Sequence, residues 1–148
     1  VTDDPVALYQ AHLDRASEAV WSRDWDTLTG LMSYPHKVLY GDKAQSIETP
    51  DAFRRHAFAV RDQLDKVGAT AYLRVCQSAS FDIDDTDRIL GTHTTFVLRG
   101  GGYIVPPYTG RLCLTRQGGK WLGVGIWTAV NPAKIPPDTT AAGLTSAK

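Results

Sequence analysis

This 148-residue sequence predicts an α+β fold in which three N-terminal amphipathic helices pack on one strongly curved antiparallel sheet. Apolar residues recur at helical spacing as far as Val67. From Ala69 onward they give way to long strand-like runs divided by turn clusters. With 43% hydrophobic and 22% charged residues, the chain has the balance of an ordinary globular protein and enough length for one core.

The first helix begins at Asp4-Pro5, an acid at the cap followed by proline in the first turn. Its apolar stripe is Val6, Tyr9, Leu13, Ala16 and Val20. Asp24 caps a short second helix carrying Trp25, Leu28 and Met32, which Tyr34-Pro35 stops. Residues 36–40 and 44–48 flank Gly41-Asp42 as a small hairpin. Thr49-Pro50-Asp51 opens the third helix with a cap, a first-turn proline and an acid matched to the helix dipole. Phe53, Ala57, Val60, Leu64 and Val67 form its stripe, and Gly68 is the expected stop.

Strands are expected over 70–83, 88–99, 103–116 and 120–130. The clusters between them are Asp84-Asp85-Thr86-Asp87, Gly100-Gly101-Gly102 and Gln117-Gly118-Gly119. Connections this short join antiparallel neighbours, so the four strands make a meander. The expected organisation is one domain over 1–132 and a Pro/Ala/Thr tail over 133–148.

Composition narrows the function. Formal net charge is zero, so the basic footprint of a nucleic-acid binder is missing overall. Residues 1–87 hold fifteen of the sixteen acids and nine bases, whereas 88–148 hold Asp138 and seven bases. A mildly basic second half suits an anionic ligand, although the halves also neutralise each other on folding. Cys76 and Cys113 are too few for a disulfide framework, lack metal-type spacing and are expected to stay reduced. No apolar run reaches a membrane span and the start is unlike a signal peptide, so a cytoplasmic location is expected. No nucleophile elbow, phosphate loop or metal motif occurs, so neither a metal nor a cofactor is expected.

The order of helices, hairpin and four long strands, with Gly118-Gly119-Lys120-Trp121 opening the last, resembles the nuclear transport factor 2-like superfamily. That group includes polyketide-cyclase (SnoaL-like) and ketosteroid isomerase-like proteins. The resemblance spans about residues 5–132 and implies a cone with a pocket inside. Relatives use such a pocket for isomerisation, dehydration, cyclisation, epoxide hydrolysis, binding or assembly, so fold leaves function open. Where many relatives read Trp, His, His and Ser along the final strand, this chain has Trp121, Gly125, Trp127 and Ala129.

With simple turns, pairing places Gln77, His93, Thr109 and Trp127 in one row, followed by Ala79, Gly91, Arg111 and Gly125. That face mixes small residues with convergent polar groups, as a small-molecule pocket does. His93 is its candidate proton shuttle and Arg111 its anchor for a carboxylate or oxyanion. Gln77 and Trp127 stand beside them, and Tyr9, His12, Tyr34, His36 and Tyr40 are expected around the mouth. The competing structural readings make His93 a hydrogen-bonded strand residue, Arg111 an ion-pair partner, Tyr9 a core residue and His56 a boundary residue. Between Asp87 and Asp138 there is no carboxylate, so a general base must be a histidine or an acid elsewhere, such as Asp14, Asp42 or Glu48.

The opposite face carries Leu90, Leu112, Val124 and Ile126, an apolar patch that predicts a homodimer through the outer sheet face. Two functions follow. The first is a pocket for a small, largely apolar or carboxylate-bearing organic molecule, accompanied by weak acid–base chemistry of the isomerase, dehydratase or cyclase type. The alternative is a non-catalytic homodimerisation or protein-interaction module whose pocket is filled by its own side chains.

Overall fold

The computed structural model describes residues 4–136. Its three helices are α1 (Pro5–Ser22), α2 (Trp25–Gly30) and α3 (Pro50–Lys66). Each starts where a side-chain oxygen satisfies a free backbone N–H. Asp4 accepts from Val6 at 3.0 Å, Asp24 from Thr27 at 3.3 Å and Thr49 from Ala52 at 3.1 Å. Gly68, at φ +75°, follows the end of α3 in a conformation that a side chain would strain.

The strands are β1 (Met32–Tyr40), β2 (Lys43–Ile47), β3 (Ala71–Asp82), β4 (Asp85–Arg99), β5 (Gly102–Tyr103), β6 (Tyr108–Gln117) and β7 (Lys120–Thr128). The sheet order is β2-β1-β7-β6-β4-β3, with β5 attached to β4. The meander is therefore present, and β1 extends it by pairing parallel to β7. Helix α2 is shorter than expected, because Met32 and Tyr34-Pro35 belong to β1. The expected strand over 103–116 also begins late. Pro106 and Pro107 have no N–H to give a ladder, and Ile104 and Val105 turn into the core instead.

Register is where the structure departs most from simple pairing. His93 lies opposite Cys76 and Gly110, and Gly110 lies opposite Thr128. The longer connection before β6 slips that strand by one residue against β4. Irregularities between Cys76 and Ser78 in β3, and beside Val124 in β7, absorb the remainder. A one-residue slip exchanges the faces of a strand. Leu112 therefore faces the helices and Ile126 packs against the core with it, whereas Arg111 and Trp127 face outward. The four-residue apolar patch expected on the outer face is not there as such, and of its members Leu90 is the one left strongly exposed, at 44%.

The helices close the concave side. Phe53, Ala57, Val60, Leu64 and Val67 of the third-helix stripe are all buried. Tyr9, Leu13, Ala16 and Val20 of α1 are buried too, while Val6 is exposed. Arg61 clasps α1 to α3: its Nε donates to the Trp21 carbonyl at 3.0 Å, its guanidinium covers the Trp21 ring at 4.1 Å, and it pairs with Asp65 at 2.7 Å. The start of the expected tail is packed. Pro132–Lys134 forms a 3-10 turn, Ile135 is fully buried against Val60 and Leu64, and Gln63 donates to its carbonyl. The rest of that tail lies outside the described residues. Among those residues no helix is long and apolar enough to cross a membrane.

Phe53 packs edge-on to Tyr34 and His36 in the upper cluster, at ring separations of 6.3 and 5.2 Å. Truncation to alanine removes a buried aromatic ring and leaves a cavity. Phe53→Ala is expected to cost about 3–5 kcal/mol in urea unfolding, and a loss below ~1 kcal/mol would mean that α3 is not anchored here.

Candidate functional site

The concave sheet face, α1 and α3 enclose a cavity of about 90 Å³. Hydrocarbon makes most of its wall, from Ala16, Val20, Leu28, Val38, Phe53, Val60, Leu112 and Ile126. His12, His36, Tyr40, His56, Tyr72, Arg74, Thr95, Tyr108 and Thr128 bring polar groups to it. Among the described residues no carboxylate lines it, so its chemistry is that of imidazoles, phenols, hydroxyls and one guanidinium.

His12 lies on α1, almost one turn beyond Tyr9, and is 1% exposed. The Trp121 backbone interacts with the ring, yet neither ring nitrogen reaches full hydrogen-bond geometry. Room for the ring comes from Gly123, where a Cβ would stand 2.9 Å from Met32 Sδ and 3.3 Å from His12 Nε2. His36, on β1, donates from Nδ1 to the Gly123 carbonyl at 3.0 Å. That bond fixes its tautomer and leaves Nε2 with a lone pair. Burial, with Arg74 the largest of several nearby positive charges, lowers His12 to a pKa of about 3; burial lowers His36 to about 4. His56 on α3 shares a hydrogen bond with Tyr40 at 2.5 Å, their rings stacked at 5.7 Å. Burial pushes His56 down and Tyr40 up, so this pair too is uncharged.

Of the residues singled out from sequence, Tyr9 and His93 meet. Tyr9 Oη and His93 Nδ1 share a 2.6 Å hydrogen bond, fully buried between α1 and β4. Nε2 of His93 faces Gly110, where a Cβ would come within 2.5 Å of it. The pair does not line the cavity, and this wall leaves His93 no approach for a substrate. Tyr34 is half-buried beside Phe53, donates to the Thr29 carbonyl at 3.0 Å and also does not line the cavity.

Gln77, Arg111 and Trp127 are not brought to His93. Gln77 is exposed at the irregularity in β3. Arg111 lies over the Trp127 ring at 4.6 Å on the outer face, and Trp127 Nε1 donates to the Gly41 carbonyl at 3.1 Å. The inward cation is Arg74 instead, which simple pairing passed over. It sits opposite Thr95, and Thr95 opposite Tyr108, so the three form one inward row. Arg74 Nε donates to Ser17 Oγ at 2.8 Å, and its guanidinium lies 5.7 Å from the Tyr72 ring. Alternation counted back from Val97, the buried apolar residue two positions after Thr95, would have found this row. Cys76 and Cys113 are unpaired. Among the described residues no group of three or more His, Cys, Asp or Glu gathers as a metal site.

No protein-family model and no curated protein sequence matches the chain. Solved structures do. A candidate dehydratase of the nuclear transport factor 2-like family from Streptomyces avermitilis superposes with a TM-score of 0.61 at 14% identity, over 83% of this chain and 93% of its own. A candidate aromatic ring hydroxylase from Novosphingobium aromaticivorans gives 0.64 at 10% identity, over 88% and 96%. A candidate scytalone dehydratase from the same organism gives 0.57 at 8% identity, over 82% and 80%. The chain has the nuclear transport factor 2-like fold, and at these identities the likeness speaks for the fold alone.

The buried histidines make stability depend on pH. In the unfolded chain an imidazole takes up its proton near pH 6.5. In the folded protein His12 and His93 do so only at about 3 and His36 at about 4. Protons therefore bind the unfolded state first, so stability is complete above about pH 6.5 and falls as the pH drops below it. Each such histidine adds about 1.4 kcal/mol per pH unit to that fall. Urea unfolding of His12→Leu between pH 6 and 4.5 is expected to show a slope reduced by one histidine's share, and an unchanged slope would mean that His12 is charged in the fold.

Proposed function

We propose that this domain takes a small organic molecule with a largely apolar body into the cone, and that His12 exchanges a proton with it. The observation that carries this is an imidazole buried to 1% exposure, neither nitrogen in a full hydrogen bond, beside a cavity walled mostly by hydrocarbon. A buried N–H left unbonded costs about 1–3 kcal/mol, and a guest with one polar atom offsets that cost. The ring is neutral at physiological pH, so it offers one donor and one acceptor to the same guest.

Cofactor-independent isomerisation, dehydration and aldol-type cyclisation fit such a site, since each needs a proton moved at or near a carbonyl. The dehydratase descriptions of structural neighbours support this reading without extending to a substrate. The role assigned from sequence to His93 passes to His12 here, because His93 is held between Tyr9 and Gly110.

The second reading, a homodimerisation module, draws on the outer face. There Leu90, Lys37, Arg111 and Trp127 border an open groove of about 690 Å³. One set of experiments separates the two. Calorimetry against small aromatic and polyketide-like ketones and acids is combined with deuterium uptake at the carbon next to the carbonyl. The proposal expects binding by the wild type and by His12→Gln, with uptake only in the wild type. Binding without uptake in either protein removes the proton transfer. No binding, together with a dimer by light scattering, favours the module.

A further inference from the structure

We infer that the guest is a monocarboxylate, and that Arg74, with the hydroxyls of Thr95 and Tyr108, holds its carboxylate. This rests on the reading of the cone as a ligand chamber and names the chemistry that the chamber selects. The first support is charge pairing. Arg23, Arg54, Arg61, Arg88 and Arg116 each pair with an aspartate. Arg74 pairs with none among the described residues, and its one side-chain hydrogen bond goes to the neutral Ser17. Asp14 and Glu18 of α1 border the outer side of the same gap, but neither forms an ion pair with it.

The second support is independent of the arginine. Thr95 is 1% exposed, and its Oγ1 interacts with the Tyr108 phenol without reaching full hydrogen-bond geometry. A buried, incompletely bonded hydroxyl and a guanidinium with no acid partner stand in one cross-strand row, where opposed side chains are about 5 Å apart at Cβ. A carboxylate satisfies both, accepting from the guanidinium and from the hydroxyls. The third support is the balance of charge. Among the described residues Arg74 is the one permanent charge that lines the cavity, and no acid lines it. A monoanion neutralises it, whereas a phosphate dianion leaves a negative charge uncompensated among hydrocarbon. A carboxylate at Arg74 also places negative charge near His12, which favours the imidazolium formed when that ring takes a proton from the guest.

The test is a panel of monocarboxylates of graded size, from acetate through benzoate to 2-naphthoate, each beside its primary amide. Binding is measured by calorimetry to the wild type, Arg74→Met, Arg74→Lys and Thr95→Val. The expected result is at least one acid bound about tenfold or more tighter than its amide by the wild type. That preference should collapse in Arg74→Met, weaken in Thr95→Val and return in part in Arg74→Lys. Acids and amides bound equally by the wild type would overturn the inference and leave the chamber reading standing. No binding of any pair would overturn both. Should Arg74→Met fail to fold, the acid–amide comparison in the wild type and in Thr95→Val decides.

Discussion

Helix α1 can lie against the sheet only because two glycines let it. A Cβ at Gly91 would overlap the Tyr9 ring, and one at Gly110 would meet the ring of His93. Between these two notches the Tyr9 hydroxyl and His93 Nδ1 satisfy each other in a fully buried position. Neither polar group has water to fall back on, so the bond fixes the height of the helix over the sheet. Everything else in the cone follows from that height. His12 and Ala16 face the cavity, and Ser17 comes within hydrogen-bond reach of Arg74.

The interior that results is polar but almost uncharged. Burial outweighs every local interaction at the imidazoles and phenols that it lowers or raises, so the ring nitrogens and hydroxyls meet a guest in their neutral forms. Leaving buried donors and acceptors without partners is a standing cost to the fold. Proteins retain such costs at places where function uses them. Among the described residues the unpartnered buried atoms include those of His12 and Thr95 in the cone, together with His93 Nε2 and Arg88 Nε outside it. Outside the cone, the acidic first half of the chain answers the basic second half through pairs such as Asp87–Arg116 and Asp82–Arg88.

The helices were legible because each carries its own punctuation: Asp4, Asp24 and Thr49 cap them, and the Phe53–Val67 stripe has one period throughout. The meander was legible from its turn clusters. What sequence pairing could not locate was register, which depends on where the irregularities fall. Gln77 and Val124 carry no signature of their own, and Pro106-Pro107 was the visible cue that β6 begins late. The error then propagated as physics requires: a slip of one residue moved Arg111 and Trp127 outward and brought Gly110 and Leu112 inward. Of the five residues expected around the mouth, His12, His36 and Tyr40 line the cavity, whereas Tyr9 and Tyr34 do not. Arg74 was missed because its face depends on that register.

The account turns on a chamber whose titratable lining stays neutral, with Arg74 as the single fixed charge among the described residues that line it. Long-range nitrogen-15 NMR of the histidine rings at pH 7 reads this directly, because neutral tautomers and imidazolium give distinct shift patterns. The account predicts neutral rings at His12, His36, His56 and His93, with His36 protonated at Nδ1 through its bond to Gly123. An imidazolium pattern at His12 or His36, or a His36 ring protonated at Nε2 instead, would contradict it.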